Sequence, residues 1–482
     1  MNTDDRRRVI ENRRPGTTHA LARAVSAAVL ASAISAPAWS QTLEEVIVTA
    51  TKRSESVQDV PLAITALSGN FVNKVNMDDI KDLVSYTPGV TGNSQDSFID
   101  AISVRGVRTQ DFGVGGDPSS AFFKNDLYEG RNGSAVTSLY DIDRAEILRG
   151  PQGFLFGGGP SGYAEIDVAE RGRRALEGAI NLPVSDHFAT RLAGYYSTED
   201  GFADNRFPGS PDLIEHDKWA LRWSTNYERD RLMVRTLVEY EDREQSGSVY
   251  RAVDRGDIWE AFDAALGGVE LRGSDEDIDS DRSGGDNDDA TILTLGLHVD
   301  YDLDFATLTS NTGYKDHDYF YNEDYDGTPL DLNNYGQDQT GEYFQQEFRL
   351  TSTTDGPLSW YAGVSYYEEK IDTRFNFSGR EDFFCQYYGY YYNYGMTFSG
   401  CEDLYAYYGS EFTPSADGRL VETGRIKGDY SGWATYVNAN YFLTESFDVE
   451  LGLRYTEDKK DFSISVPTPE SELGPYWAYG FS

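Results

Sequence analysis

Residues 219–228 read WALRWSTNYE and alternate strictly between two kinds of side chain. Successive side chains of a β-strand point to opposite faces, so Trp219, Leu221 and Trp223 would share one face. The residues between them, Arg222 among them, are small or polar and would share the other. One face suits hydrocarbon and the other suits water. The stretch therefore predicts a strand that separates an apolar medium from an aqueous one.

The same alternation recurs along the chain from residue 163 onward. Short turns and long polar loops follow one another between the spans, which favours a transmembrane β-barrel over a soluble sandwich. The short turns would face the periplasm, and the long segments 199–216, 242–289, 317–340, 371–429 and 462–482 would face outward. The sequence predicts eleven strands, near 163–170, 173–183, 188–198, 217–228, 231–241, 290–301, 305–316, 341–352, 357–370, 430–442 and 447–461.

The composition agrees with a barrel and excludes some partners. Aromatic residues make up 14% of the 482 residues, while the mean hydropathy is −0.55 and the formal net charge is −39. A soluble core of this size would rely on Leu, Ile and Val rather than on aromatic residues. The acidic balance argues against a nucleic-acid partner. Beyond residue 40 no run of about 18 apolar residues occurs, so a membrane role would have to be built from strands.

The first forty residues predict export. A basic leader precedes the apolar stretch 24–34, and small residues end at Ala38-Trp39-Ser40, which is typical of a secretory signal peptide cleaved before Gln41. An amphipathic surface helix is the alternative. In an exported chain the two cysteines, Cys385 and Cys401, predict one disulfide within a loop.

Five short strings carry a family resemblance. Residues 44–50 read EEVIVTA, and SVQDVP at 56–61, DLVSYTPGV at 82–90, SVRGV at 103–107 and IDRAEILRGPQG at 142–153 follow. Together they resemble the TonB box and plug domain of TonB-dependent outer-membrane receptors. The resemblance implies an α/β plug domain followed by an antiparallel transmembrane β-barrel. The implied divisions are a signal peptide at 1–40, the box and its tether at 41–56, the plug at 57–162 and a partial barrel at 163–482.

The resemblance also assigns roles to residues. The box would add as a strand to TonB of the inner-membrane energy-coupling complex, through Glu44, Glu45, Val46, Ile47, Val48, Thr49 and Ala50. An ordinary N-terminal strand is the alternative. The box begins three residues past the predicted cleavage site and leaves no room for a signalling domain, so we expect a transporter and not a transducer. The plug motif would comprise Arg105, Gly106, Arg144, Glu146, Arg149, Gly150, Pro151 and Gly153.

Within the plug we expect a strand at 64–67 and a helix at 77–84 with Asn76 as its N-cap. Arg105 and Arg149 would either form buried charge pairs with lumen acids such as Glu239 and Glu347 or be solvated in the lumen. The chain departs from the family twice. FKNDLY at 123–128 stands where relatives have an Asp-Gly turn, and residues 157–162 pass almost directly into the first barrel strand.

Eleven strands are half of the twenty-two that the family uses, and bacterial barrels of this class have even strand numbers. Unpaired sheet edges are costly in lipid. We therefore expect the N-terminal part of a receptor with an incomplete barrel. A complete small barrel would require the spans to be miscounted.

Two outer segments are candidates for recognition. Tyrosines between the cysteines, namely Tyr387, Tyr388, Tyr390, Tyr391, Tyr392 and Tyr394, would bind sugars, catechols or other flat ligands, or else form a self-packed cap. The acidic run 275–289 would be an unstructured loop, with a Ca²⁺ site as the alternative. No histidine spacing predicts a metal site, and neither a nucleophile elbow nor a phosphate loop is present.

The sequence thus predicts a receptor and not an enzyme, placed in the outer membrane of a Gram-negative bacterium, with no cofactor. Its partners would be TonB, outer-membrane lipid and lipopolysaccharide, and a small-molecule ligand. Active uptake is expected, with a ferric siderophore as the cargo that the resemblance favours. A passive channel or adhesin, and a truncated non-functional remnant, are the alternatives.

Overall fold

The computed structural model describes residues 47–48, 55–56, 64–92, 102–108, 118–131, 133–148, 162–252, 256–257, 259, 262, 277–282, 285–353, 356–444 and 447–474. The chain divides into two compact units, residues 1–46 and 47–482, and every described residue belongs to the second. None of the described helices is long and apolar enough to cross a membrane.

Short elements make up the part of the chain before residue 149. They are β1 (Ile47–Val48), β2 (Glu55–Ser56), β3 (Ile64–Ser68), α1 (Gly69–Lys74), α2 (Leu83–Tyr86), β4 (Val90–Thr91), β5 (Ser103–Val104), β6 (Phe123–Lys124), β7 (Leu127–Tyr128) and β8 (Arg144–Leu148). These strands form four antiparallel pairs, β1 with β2, β3 with β8, β4 with β5 and β6 with β7.

In the described residues after 148, the named elements are strands, most of them long, and two helices. They are β9 (Tyr163–Val168), β10 (Arg174–Ser185), β11 (Phe188–Glu199), β12 (Asp204–Asn205), β13 (His216–Arg229), β14 (Leu232–Gln245), β15 (Asp277–Ile278), β16 (Asn287–Leu303), β17 (Ala306–Asp324), β18 (Asn334–Ser352), β19 (Leu358–Arg380), α3 (Glu381–Tyr392), α4 (Cys401–Tyr407), β20 (Arg419–Thr444) and β21 (Phe447–Ser465).

Eleven of these strands form one antiparallel sheet whose order follows the chain from β9 to β21, while β12 and β15 pair with each other. The predicted strand count and antiparallel topology are confirmed. Among the described residues, β9 and β21 lie at opposite edges of the sheet and do not pair. The sheet is therefore not closed, as expected of an incomplete barrel.

The two faces of the sheet differ as the alternation predicts. On β13, Trp219, Leu221 and Trp223 are 36%, 59% and 50% exposed, whereas Ala220 and Arg222 between them are 0% and 7% exposed. The apolar face points outward, and the polar face packs against the N-terminal part of the chain. The alternation in the sequence therefore reflects strands whose inward face alone is buried by protein.

The strands extend further than predicted at the long-loop end. β19 has 23 residues and β20 has 26, so both reach into the predicted outer segment 371–429. β17 and β18 likewise shorten the predicted segment 317–340. In these extensions the outward side chains are mostly polar, as at Asp372 and Arg374, while apolar ones such as Ile371 and Phe375 are buried on the inward face. The apolar-outward pattern of the lipid-facing spans therefore does not reveal them.

The helix predicted at 77–84 is wrong over most of its length, because the only helix there in the described residues is α2, which begins at Leu83. The strand predicted at 64–67 is present as β3, but the helix that follows is α1, where the hydroxyl of Ser68 accepts a hydrogen bond from the Phe71 amide at 3.3 Å. Asn76 has a φ of +51° and lies just beyond the end of α1, so it is not an N-cap. Asn tolerates left-handed backbone and is common beyond helix ends for that reason.

The predicted disulfide between Cys385 and Cys401 is confirmed, but the segment is not an irregular loop. The disulfide joins α3 to the start of α4, and both sulfurs lie in a buried cluster with Phe384, Leu420 and Leu473. We call residues 381–408 the helical hairpin. The covalent link fixes the two helices side by side.

Replacing both cysteines by serine is expected to loosen the helical hairpin. The bond closes a loop with a sequence separation of 16, and the loss of chain entropy that such a loop provides is worth about 3 kcal/mol. Hydrogen exchange across 381–408 should become faster, while exchange in β10 and β11 stays unchanged. Addition of a reductant to the double variant serves as the control and should have no effect. Unchanged exchange in the helical hairpin would contradict the expected role of the disulfide.

Candidate functional site

The plug packs on the inward face of the sheet around Tyr140. This ring is fully buried and stacks on Tyr195 with centroids 5.8 Å apart. Ala179, Ala193 and Ala220 from three strands complete the cluster. Small side chains on the inward face allow the plug to approach the strands closely.

Three buried ion pairs join plug residues 124–131 to three strands of the sheet. Lys124 binds Glu239 on β14 at 2.7 Å, Glu129 binds Lys315 on β17 at 2.8 Å, and Arg131 binds Glu369 on β19 at 2.7 Å. In the Glu129 pair both side chains are 4% exposed. Burial raises the pKa of Glu129, and the Lys315 ammonium offsets that effect only in part. These pairs sit in a medium of low polarity, where losing one partner is costly.

Asp141 also anchors the plug to the sheet, through a different set of strands. Its carboxylate accepts hydrogen bonds from Arg191 on β11 and Arg222 on β13. Burial alone would raise the pKa of Asp141, but the two guanidinium groups hold it below its usual range. The Asp141 amide donates to Glu177 on β10 at 2.9 Å. One plug residue therefore bridges three adjacent strands.

Arg243 on β14 binds the plug through its main chain. Its guanidinium donates to the carbonyl oxygen of Gly133 at 3.1 Å and to that of Val136, and it pairs with Asp288 at 3.2 Å. The side chain of Arg243 is 2% exposed. This contact fixes the backbone of the plug and not only its side chains.

The plug segment 123–128 forms a tight hairpin. Asn125 and Asp126, between β6 and β7, have φ angles of +52° and +66°, which is the pattern of a type I′ turn. The Asp126 carbonyl accepts hydrogen bonds from Asn311 and Gln345, each at 3.1 Å. The Asn-Asp turn therefore does the work expected of the Asp-Gly turn in relatives, since Asn and Asp both tolerate left-handed backbone.

Of the two alternatives for Arg105, a buried charge pair or a solvated charge, the structure agrees with the solvated charge. Arg105 is exposed, and with Gly106 it forms a second turn of positive φ, so SVRGV is a two-residue strand and a turn. Glu239 binds Lys124 instead, and Glu347 binds Arg349 at 3.0 Å. Both acids do face inward, as predicted. The plug cations that pair with acids of the sheet are Lys124 and Arg131, and nothing in the sequence singles them out.

The remaining motif residues lie partly within the described structure. Arg144 and Glu146 share a face of β8 and form an ion pair at 2.6 Å. Arg149, Gly150, Pro151 and Gly153 lie outside the described residues. Of the predicted box, Ile47 and Val48 form β1 and pair with β2, whereas Glu44, Glu45, Val46, Thr49 and Ala50 lie outside the described residues.

The six predicted ligand-binding tyrosines do not form one surface. Tyr387 packs toward Phe262, and Tyr388 and Tyr390 are half-buried in the helical hairpin. Tyr391, Tyr392 and Tyr394 are 68%, 68% and 104% exposed. Whether any of them binds a ligand stays a prediction.

A cavity of about 1380 Å³ lies between the plug and the inward face of the sheet, toward the short turns. The plug lines it with largely apolar side chains, including Leu83, Val84, Val104, Ile142 and Ile147. The sheet contributes many polar ones, including Asn181, Thr190, Ser224, Thr236, His298 and Asn311. A space of this size and mixed lining can hold a small solute.

The acidic run 275–289 is ordered where the structure describes it, so the expectation of an unstructured loop is wrong there. Asp277 lies in β15 and accepts a hydrogen bond from Arg206 at 2.8 Å, and Asn287 begins β16. In the described part of the chain, no group of three or more His, Cys, Asp or Glu side chains is arranged to hold a metal ion.

The loop 325–333 contains the carboxyl group of Asp326, and this group should make the stability of the loop depend on pH. Burial, and then the carboxylate of Asp324, raise the pKa of Asp326 to about 8. The folded state therefore binds this proton more tightly than the unfolded chain, whose pKa is near 3.8. The stabilising contribution is complete below pH 3.8, and it is lost as pH rises to about 8.

Asp326→Asn is expected to protect the loop 325–333 at high pH. The amide oxygen can still accept the hydrogen bond from the Asn333 amide, and no charge has to be buried. Hydrogen exchange of this loop should be slower in the variant than in the native chain at pH 9, with a smaller difference at pH 5. The intrinsic rate of amide exchange changes with pH in both proteins alike, so comparing the two at the same pH removes that effect. An equal difference at both values would contradict the titration.

The anchors that sequence reasoning missed are Lys124, Glu129, Arg131, Asp141, Lys315 and Arg243. Four of them belong to the plug, where no periodicity marks an interface. Lys315 lies at an inward position of the predicted strand 305–316, where a buried charged residue was the available signal, whereas Arg243 lies beyond the end of the predicted strand 231–241.

The comparisons with known proteins agree with this architecture. Residues 56–163 match the model of the TonB-dependent Receptor Plug Domain. The ferripyoverdine receptor of Pseudomonas aeruginosa is 27% identical over 136 residues, which are 28% of this chain and 16% of that protein. The ferrichrome outer membrane transporter/phage receptor of Escherichia coli K12 is 29% identical over 112 residues, or 23% and 14% of the two chains.

A solved structure extends the likeness to the sheet. The ferric yersiniabactin uptake receptor of Yersinia pestis superposes with a TM-score of 0.61 at 16% identity, over 84% of this chain and 61% of that one. At this identity the likeness establishes the fold alone. The matched part of the chain spans less than two thirds of the length of each of these relatives.

Proposed function

Given that this chain belongs to the TonB-dependent receptors, we propose that it is an outer-membrane receptor of a Gram-negative bacterium that actively takes up a ferric siderophore. The observation that carries the proposal is a plug domain held by buried ion pairs on the inward face of an antiparallel sheet. The similarity to ferripyoverdine and ferrichrome receptors supports an iron chelate as cargo. The relatives are transport receptors, and we propose no enzymatic activity.

In this proposal the energy for uptake comes from the inner-membrane complex that contains TonB. Residues 44–50 add as a strand to TonB, because main-chain hydrogen bonds hold two strands against a pull. The extended pairing of Ile47 and Val48 in β1 supports the ability of this segment to join another strand. TonB then rearranges the plug, and outer-membrane lipid and lipopolysaccharide surround the outward face of the sheet.

The cavity offers a route for cargo. It lies between plug and sheet near the short turns, which would face the periplasm. Several plug residues that line it, such as Leu83 and Val104, are apolar, whereas the ion pairs to the sheet come from the anchors at 124–141. A modest displacement of this apolar wall would enlarge the path while the anchors hold.

Deletion of residues 44–50 tests the proposal. Iron-limited cells that express the native gene should accumulate radiolabelled ferric siderophore, and cells with the deletion should bind it at the surface without accumulating it. Ile47→Pro should have the same effect, because proline cannot donate a hydrogen bond to a partner strand. Ile47→Val keeps the strand and serves as the matched control.

Undiminished accumulation after the deletion would contradict energised uptake and favour a passive channel. Surface binding without accumulation in the native cells as well would favour an adhesin. No binding and no accumulation by the native protein would favour a non-functional remnant.

A further inference from the structure

Four polar side chains form one row across the sheet wall of the cavity. They come from four adjacent strands, and each lies opposite the next in the register of the sheet, Asn226 with Arg235, Arg235 with His298 and His298 with Asn311. All four line the cavity, and we call them the polar row. Neighbouring side chains at one level of a sheet have Cβ atoms about 5 Å apart, so adjacent members can contact one small solute together.

The polar row lies just beyond a close contact between plug and sheet. At the next level toward the long loops, a Cβ atom on Gly296 would lie 3.2 Å from the Leu127 side chain, and one on Gly313 would lie 2.5 Å from it. The hairpin of β6 and β7 therefore closes the space at that level. A solute that passes between plug and sheet toward the short turns would meet the polar row next.

Arg235 supplies hydrogen-bond donors that no carboxylate occupies. In the part of the chain that the structure describes, its guanidinium donates only to the Met233 sulfur, at 3.1 Å. Asp300 attracts it electrostatically, but the two oxygens of that carboxylate are engaged by His298 at 2.9 Å and by the Thr309 hydroxyl at 2.6 Å. A thioether is a weak acceptor and a guanidinium has five N–H groups, so most donors of Arg235 stay available to a ligand.

The other charges of the cavity lining are mostly paired. Among the described residues, ion pairs hold the acids Glu129, Asp141, Asp143 and Glu146 and the cations Lys124, Arg191 and Arg222. Asp126, in the turn between β6 and β7, is a further acid of the lining. Arg105 lines the cavity from the plug, is exposed, and forms no ion pair within the described ranges. Arg105 and Arg235 thus bring guanidinium groups without a carboxylate partner to opposite walls.

The two walls together select a class of solute. The plug wall is largely apolar and cannot replace the water that a solute sheds on entry, so the sheet has to supply the hydrogen bonds. Arg235 offers donors alone, and the amide of Asn226 offers donors beside it. A guanidinium binds carboxylates and similar oxygens strongly, because its planar fork donates two parallel hydrogen bonds to them. An anionic solute with oxygen atoms on its outside fits this wall best.

We propose that the polar row is a transit site for anionic iron chelates, whose outer oxygens accept hydrogen bonds from Arg235 and Asn226. Asp300 fixes the ring of His298 beside them. The inference rests on the proposed iron uptake and adds to it a charge class and a site near the periplasm. Loss of the site would leave uptake driven by residues 44–50 possible, and binding at the site does not require TonB, so the two experiments fail separately.

The test uses ferric citrate as the anionic chelate and the full chain in lipid nanodiscs. Ferric iron is paramagnetic and broadens the NMR signals of nearby nuclei. The chain has four methionines, so methyl-labelled methionine gives few signals. Met233 contacts Arg235 and reports on the polar row, whereas Met396 lies in the helical hairpin and serves as the internal control. We expect Met233 to broaden at a lower concentration of ferric citrate than Met396, and gallium citrate, which is diamagnetic, to broaden neither.

Arg235→Leu should raise the concentration of ferric citrate that broadens Met233 about ten-fold, because charge-assisted hydrogen bonds are lost. Arg229→Leu is the matched control, since it removes the same charge from an exposed side chain near the short turn after β13, and its response should equal that of the native chain. An unchanged Met77 signal checks that each variant keeps the plug folded.

Three results would overturn the transit site. One is broadening of Met396 without Met233 in the native chain, which would place the chelate at the long-loop end alone. Another is equal responses of the native chain and Arg235→Leu. The third is an equal loss in Arg235→Leu and Arg229→Leu, which would show attraction by net charge and not by the polar row.

Discussion

Glu369→Gln is expected to lower the free energy of unfolding of the plug by about 3–5 kcal/mol. Glu369 accepts two hydrogen bonds from the Arg131 guanidinium, at 2.7 and 3.0 Å, and both side chains are 10% exposed. The variant leaves Arg131 buried without its counter-charge. The ring of Tyr430, whose centroid is 5.2 Å from the guanidinium carbon, cannot replace a carboxylate. Urea titration in detergent, followed by hydrogen exchange across 128–140, measures the loss.

The double change Arg131→Met with Glu369→Leu serves as the rescue. Replacing both members of a buried pair by apolar groups removes the unpaired charge and should restore most of the stability. Arg231→Met is the matched control, because Arg231 and Asp304 form an ion pair at the surface. It should leave the urea midpoint unchanged. A double variant no more stable than Glu369→Gln would contradict the burial argument.

Gly133→Ala is expected to destabilise the same region by about 2–5 kcal/mol, from left-handed strain and overpacking together. Gly133 has a φ of +82°, and a Cβ atom at this position would overlap the ring of Tyr319. Tyr319 is 2% exposed and has no room to move. The Gly133 carbonyl also accepts the hydrogen bond from Arg243, so a backbone shift would loosen that anchor.

Gly106→Ala separates the two causes. Gly106 has nearly the same φ, +80°, but within the part of the chain that the structure describes no heavy atom beyond its chain neighbours lies within 4 Å of the added Cβ. It should therefore show only the cost of the left-handed conformation, about 1–2 kcal/mol. Hydrogen exchange across 133–140 and the urea midpoint measure both variants. Equal losses in the two would contradict a clash with Tyr319.

Sequence reasoning succeeded where one physical rule acts on consecutive residues. Lipid on one side and water on the other impose the alternation of Trp219 to Trp223, and all eleven long strands follow from that rule. The disulfide was accessible for a similar reason, since an exported chain with two cysteines offers one intramolecular pairing. The extensions of β19 and β20 escaped because no lipid acts on their outward faces, which are mostly polar.

The contacts of the plug could not be predicted because they join distant parts of the chain. Lys124 and Glu239 are 115 residues apart, and Arg131 and Glu369 are 238 residues apart. Nothing local to Lys124 distinguishes it from Arg105, which is exposed. The helices of the helical hairpin escaped for another reason. Tyrosine has only modest helix propensity, and α3 is held by the disulfide and by packing on Leu420.

The pairing of β3 with β8 sets how the plug would carry a mechanical load. Ile64 pairs with Leu148 and Ser68 pairs with Arg144, so the two strands run in opposite directions. A pull along β3 would enter at Ile64, whereas β8 is tethered at its opposite end through Asp141. The five residue pairs would bear the force together, in shear, and would not separate one after another. The pair of β3 and β8 would then transmit force to the plug residues that line the cavity before the two strands separate.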